Sequence, residues 1–416
     1  MRHLRAPLHV NSRILQTMSA LTIESQETTE DFSLVLGGPL FQILRRASLS
    51  GTALELLRRR VIVITTLSWL PLLVLSAWEG HAWGSSVGLS FIHDIDAHAH
   101  FLISLPLLIG AELVVHKRMR NVASQFLERG LVPTNARLEF DRAVSSAKRL
   151  RNSVVAELLL IAFVYGVGVL LVWRRYAALD VSSWYGVNSN GRLHPSLAGW
   201  WLGLVSLPFF QFLFFRWYYR LFIWARFLWQ VSRIQLDLFP THPDRVAGLG
   251  FLSGVSRAFM PLLLAQGALL AGMIADRVFY TGASLTQFKL DIVGVVAFAV
   301  LVVLAPLLVF SPQLERAKRT ARREYGVLAQ RYVRAFDSKW LRGEAPADEQ
   351  FMGNSDIQSL ADLGNSYEVI SETRWIPFDA RTVLHLAVTT LVPVLPLTLT
   401  MIPLDQLLDR LLKLIF

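Results

Sequence analysis

The sequence predicts an all-α fold, a polytopic bundle of about seven transmembrane helices with a helical module on the cytoplasmic side. Three observations predict it. Of the 416 residues, 53% are hydrophobic and only 17% are charged, whereas soluble chains carry charge on about a quarter of their residues. Long uncharged runs alternate with connections in which Lys and Arg gather. Those runs are close to the roughly 20 apolar residues a helix needs to cross the hydrocarbon core.

Seven apolar segments stand out: Val61–Trp78, His98–His116, Val154–Trp173, Gly199–Trp224, Ala258–Val278, Ile292–Phe310 and Thr382–Ile402. Arg45, Arg46, Arg58, Arg59 and Arg60 precede the first. No Lys or Arg then follows until Lys117, and the connection from there to Arg151 is strongly basic. Basic connections continue to alternate with poor ones, and the positive-inside rule places the N-terminus in the cytoplasm. The last segment contains Pro393 and Pro396, with Pro403 just beyond. Proline is tolerated in a membrane helix whose neighbours satisfy the freed carbonyls, and a re-entrant hairpin is the alternative.

The expected organisation has five parts. Residues 1–31 form a polar, disordered tail without a signal peptide, and 32–60 form cytoplasmic or interfacial helices. Residues 61–310 hold six membrane helices, 311–379 the cytoplasmic module, and 380–416 the last membrane helix with an amphipathic surface tail. Within the module, Leu314, Ala321, Leu328 and Ala335 recur every seven residues, a helical stripe that continues the sixth membrane helix. The stripe reads as packing within its own chain, with a dimeric coiled coil, and hence a homo-oligomer, as the alternative. Ser355 and Gln358 make a capping box for a helix over about 356–372, and Asp379 is placed to cap the seventh segment. Between the third and fourth segments, Asn190-Gly191 predicts a hairpin, with Trp184 and Tyr185 suited to the membrane interface.

The net charge of +10 follows from basic cytoplasmic loops, and no nucleic-acid reader motif accompanies it. The absence of cysteine excludes disulfides, thiolate metal sites and cysteine nucleophiles. No catalytic Ser–His–Asp order, HExxH motif or cofactor signature is present.

Three clusters could carry function. The first is intramembrane charge, which is costly and therefore informative: Glu112, Glu157, Arg216 and Arg220. Counting from Gly199 at 1.5 Å per residue puts Arg216 roughly 25 Å inward, so all four sit at the cytoplasmic leaflet. Glu112–Arg216 and Glu157–Arg220 are the expected pairs. They line a polar vestibule, or simply lock helices together. The second is HDIDAHAH, where His93, Asp96 and His100 fall on one helix face with side chains suited to a metal such as zinc. The bland alternative is an aspartate N-cap. The third is the turn FPTHPDRVAGLGFLSG. His242, Asp244 and Arg245 precede Gly248 and Gly250 at a helix start, an arrangement suited to a phosphate or lipid headgroup. A tight structural turn is the alternative.

The stretches LVLGGPLFQILRR, WYYRLFIWARFLWQVSRIQLDLFPTHPDRVAGLGFL, SDIQSLADLGNSYEVI and PLTLTMIPLDQLLDRLLKLIF resemble a family of uncharacterised bacterial integral membrane proteins, from about Phe32 to the end of the chain. The THPDR–glycine stretch is the most specific part. The resemblance implies a bacterial inner-membrane location and one integrated membrane domain, and it brings no activity, substrate or catalytic residue. The leading functional expectation is passage or sensing of a small solute or ion at a cytoplasm-facing vestibule, with the bilayer as the constant partner. The alternatives are a scaffold or signalling subunit that binds a partner through its cytoplasmic helices, and a lipid-acting enzyme at the THPDR turn.

Overall fold

A computed structural model of the chain describes residues 32–46, 56–84, 87–168, 183–189, 192–346 and 349–401. The expected N-terminal tail and the amphipathic tail after Met401 lie outside these residues. Among them, helices dominate: α1 (Pro39–Arg46), α2 (Leu57–Trp78), α3 (Ile95–Glu128), α4 (Thr134–Arg151), α5 (Val154–Gly168), α6 (Leu197–Val231), α7 (Phe251–Thr281), α8 (Leu285–Leu341), α9 (Ser355–Glu372) and α10 (Ala380–Met401). One hairpin joins β1 (Gly186–Ser189) to β2 (Arg192–Pro195), antiparallel, with Val187 opposite His194. Six helices (α2, α3, α6, α7, α8 and α10) are long and apolar enough to cross a membrane. A seventh span is obtained if α4 and α5, bent by 46°, are counted as one. The protein is thus an all-α transmembrane bundle.

Why these segments helix and stop where they do is local chemistry. The α4–α5 bend falls at Asn152–Ser153, where Ser153 accepts a hydrogen bond from Ala156 N (3.2 Å) and starts a new helix. The predicted extension of this span to Trp173 lies outside the described residues. Asp379 accepts from Thr382 N (2.9 Å) and caps α10 as expected. Beyond Leu391 that helix tightens into 3₁₀ geometry around Pro393 and Pro396, and among the described residues, which end at Met401, it does not turn back as a hairpin. The cap of α9 is Asn354, whose side chain accepts from Asp356 N (2.8 Å). The N-cap is therefore one residue earlier than the expected Ser355, and the expected capping box does not form, because Gln358 pairs with Asp362 instead.

Helix α7 is the axle. It packs on α3, α8 and α10, and 67% of its apolar window is buried against 22% for α2 and α8. Such buried helices need small residues or satisfied polar groups at their contacts. Ser104 Oγ donates to Ala265 O (2.9 Å), Ser206 Oγ to Ser68 O (2.8 Å), and Trp217 Nε1 to Leu108 O (3.0 Å). Gly267 lets α10 approach so closely that a Cβ there would collide with the Thr390 carbonyl.

Three sequence expectations are corrected by packing. The segment before α1 is core, not interface: Phe32, Leu34 and Val35 are buried, with the Phe32 ring 4.6 Å from that of Phe227. Trp184 and Tyr185 are also buried, and Trp184 Nε1 donates to Asp94 (2.7 Å). The heptad stripe holds only through Leu314 and Ala321, because a straight helix drifts from a seven-residue repeat. Leu328 and Ala335 face outward, and α9 packs on α8 through Gly326 and Tyr332, whose hydroxyl donates to Asp356 O (3.1 Å). The continuation of the sixth membrane helix is as expected: α8 runs unbroken for 57 residues.

Gly267→Ala is expected to lower stability by about 1–3 kcal/mol through overpacking. Gly110→Ala, on a helix position with open space around it, should instead gain up to about 1 kcal/mol of helix propensity. Thermal unfolding of both variants in one detergent compares the two signs.

Candidate functional site

The four predicted intramembrane charges converge, and they recruit a fifth. Glu112 on α3, Glu157 on α5, Arg216 and Arg220 on α6, and Arg60 on α2 are all at least nine-tenths buried. They come from four different helices, and at this depth each finds its counter-charge within the cluster. Arg220 Nη2 lies 2.7 Å from Glu112 Oε1, and Arg60 Nη2 lies 2.5 Å from Glu112 Oε2. Arg216 Nη2 lies 2.9 Å from Glu157 Oε1, and reaches Glu112 only at 3.6 Å through Nη1. The pairing is therefore crossed relative to expectation: Glu112 with Arg220, Glu157 with Arg216. Leu40 N donates to the second Glu157 oxygen (2.8 Å), and the Arg220 guanidinium stacks 4.6 Å from the Trp217 ring centroid. Arg60 was legible only as one of a run of flanking arginines.

The cluster is closed. Its cavity, lined by Arg60, Glu112, Arg216, Arg220 and apolar neighbours, has a volume of about 20 Å³. The vestibule expected at this position is a packed ion-pair core. A larger space lies elsewhere at the same basic end: a groove of about 1070 Å³ between the end of α6, residues 232–241 and the first turns of α8 beyond Val309. Its polar lining comprises Arg233 and Arg316, one carboxylate, Glu324, and neutral groups that include Gln235, Gln313 and Thr320, and Trp229, Phe239 and Tyr325 are its aromatic residues. Arg233 stacks 5.1 Å from the Trp229 ring centroid. Gln313 Nε2 donates to Ser232 O and Ile234 O, both at 2.7 Å, and fixes the groove floor.

The THPDR turn holds an anion, but it is the chain's own. Asp244 Oδ1 accepts from Val246 N (2.9 Å) and Gly248 N (3.1 Å), and Oδ2 accepts from Gly250 N (2.9 Å). His242 Nδ1 adds a contact to Oδ1 at 3.0 Å. The amides expected to bind a phosphate are thus satisfied internally. Arg245 turns away to Glu372 (2.9 Å), and its carbonyl accepts from Arg374 N (2.8 Å). The turn anchors α9 to the bundle. Burial opposes ionisation of Asp244, but the three amides and His242 outweigh it and hold its carboxyl below the usual value.

The HDIDAHAH residues are likewise spent on structure. Asp94 caps α3 by accepting from Ala97 N (2.7 Å). Asp276 of α7, which sequence reading passed over, accepts from Ile95 N (2.9 Å) and Asp96 N (3.3 Å). His100 Nδ1 lies 2.8 Å from Asp96 O and 3.4 Å from Asp96 Oδ1, so these two meet, but His93 Nδ1 pairs with Ser90 Oγ (2.6 Å) and does not join them. Among the described residues no group of three His, Asp or Glu side chains is placed to hold a metal ion. The expected metal site is replaced by a helix-capping network.

Compared with known proteins, the chain matches no family model, no curated sequence and no solved structure.

Two outcomes are expected. Glu112→Gln leaves buried arginines without their counter-charge and should cost about 3–5 kcal/mol, read as a fall in thermal midpoint. Asp244→Asn should destabilise at neutral pH. Because the folded Asp244 value lies below the unfolded one, its contribution is fully present above the unfolded value and is lost as pH falls through the folded one. The stability gap between wild type and Asp244→Asn should therefore close on acidification, measured as unfolding midpoints across a pH series.

Proposed function

We propose that the protein is a non-enzymatic binding and sensing protein of the bacterial inner membrane that takes an anionic amphiphile, a phospholipid in the first instance, into the groove between α6 and α8. The carrying observation is the groove itself: about 1070 Å³ in volume, with Arg233 and Arg316 among its lining residues. Trp229 and Phe239, both substantially exposed, add the amphipathic and apolar surface that suits headgroup depth. Arg316 makes no ion pair among the described residues, so its charge is available to a ligand phosphate. The alternation of basic and poor connections supports a cytoplasmic location for this end, where leaflets carry anionic lipid. The helices α8 and α9 rise from the groove's edge, and a ligand seated there touches the root of the module that projects from the membrane. That contact is what supports sensing over passage, since the polar residues deeper in the bundle are packed against one another.

Arg233→Gln with Arg316→Gln is expected to weaken preference for phosphatidylglycerol over phosphatidylcholine. At about 1 kcal/mol per basic residue near an anionic surface, the double change amounts to roughly 30-fold. Native mass spectrometry of protein released from mixed vesicles counts the retained lipids. Equal retention by wild type and the double variant would contradict the assignment.

A further inference from the structure

The buried charge cluster is unbalanced. Three arginines, Arg60, Arg216 and Arg220, face two glutamates, Glu112 and Glu157, and all five are at least nine-tenths buried. A buried charge without a partner is strongly destabilising, and the described residues supply no third carboxylate to the cluster. The excess is one positive charge. Arg60 carries the signature of it: the side chain is 2% exposed, and its Nε has no hydrogen-bond partner among the described residues.

The cavity is the second observation. Arg60, Arg216 and Arg220 all line it, and its volume is about 20 Å³. That exceeds the roughly 10–15 Å³ that one water-sized particle requires and leaves no room for a polyatomic anion. Leu40, Ile64, Leu108 and Leu213 form apolar walls, which strengthen any charge interaction inside. Glu112 also borders the space, but its two oxygens are engaged by Arg60 and Arg220 at 2.5 and 2.7 Å. Guanidinium groups are weakly hydrated and suit a partly dehydrated anion.

We propose that this cavity binds one monovalent halide, chloride being the abundant candidate, as the counter-ion that completes the three-arginine, two-glutamate cluster. The site shares no lining residue with the α6–α8 groove, so the proposal stands or falls separately from lipid binding.

The test uses the full chain in phosphatidylcholine nanodiscs, which contain no anionic lipid. Thermal midpoints are measured in sodium chloride, bromide, gluconate and sulfate at matched ionic strength. Chloride and bromide should raise the midpoint saturably, as ligands that bind only the folded state do, and gluconate and sulfate should not. Arg60→Gln removes the excess charge and should weaken the halide dependence at least tenfold, whereas Arg60→Lys should retain it. Leu213→Phe fills the cavity without touching a charge and should also abolish the dependence, which keeps the test decisive if Arg60→Gln does not fold. A wild-type midpoint equal in chloride and gluconate, an adventitious salt effect of the same size with all four anions, or a halide dependence unchanged in Leu213→Phe would each overturn the proposal.

Discussion

The bundle depends on a buried knot of charge. Glu112 is gripped by arginines from α2 and α6, and Glu157 by Arg216 of α6, so helices α2, α3, α5 and α6 are held at one depth by five side chains. Apolar packing cannot supply this registry, because lipid tails are as apolar as the helix faces and give little preference for one vertical offset over another. Charges in a low-dielectric setting do, since a displacement of a few ångströms leaves an unpaired ion. The segment Phe32–Arg46 completes the arrangement. Its Leu40 amide satisfies Glu157, and Phe32 covers the basic end of the core against Trp224 and Phe227.

Around that knot the other polar clusters work as fasteners. At the end opposite the basic groove, Asp94 and Asp276 cap the start of α3 and tie it to α7 and to Trp184. At the basic end, Asp244 closes its own turn and Arg245 ties that turn to α9. The residues that look most like chemistry in the sequence are therefore mostly occupied. What stays available is the groove between α6 and α8, where Arg316 is unpaired among the described residues and two large aromatic side chains are exposed. Function is read there because the carboxylates of the other polar clusters are engaged by partners of their own chain.

Much of the fold was legible because membrane spans are a matter of length and apolarity, which one chain displays directly. The continuation of the sixth span into the projecting helix and the Asp379 cap were legible for the same local reason. The site was legible by residue and not by geometry. Glu112, Glu157, Arg216 and Arg220 were identifiable by the cost of burying them, but their crossed pairing depends on helix rotation and offset, which no local pattern encodes. Arg60 was hidden among Arg58 and Arg59, because a basic flank is the ordinary signature of a cytoplasmic end. Similarly, the glycines after Asp244 advertise a set of free amides without revealing that the nearest carboxylate claims them, and the groove joins segments some eighty residues apart.

The account's central claim is that Glu112 and the α6 arginines act as one charge unit. A double-mutant cycle of Glu112→Gln and Arg220→Gln, read by reversible unfolding in detergent, addresses it most directly. Removing both members restores the net charge of the cluster, so the double variant should be markedly more stable than the sum of the single losses implies, with a coupling energy of about 0.5–3 kcal/mol. Additive losses, with no recovery in the double variant, would contradict the claim and return the two residues to independent roles.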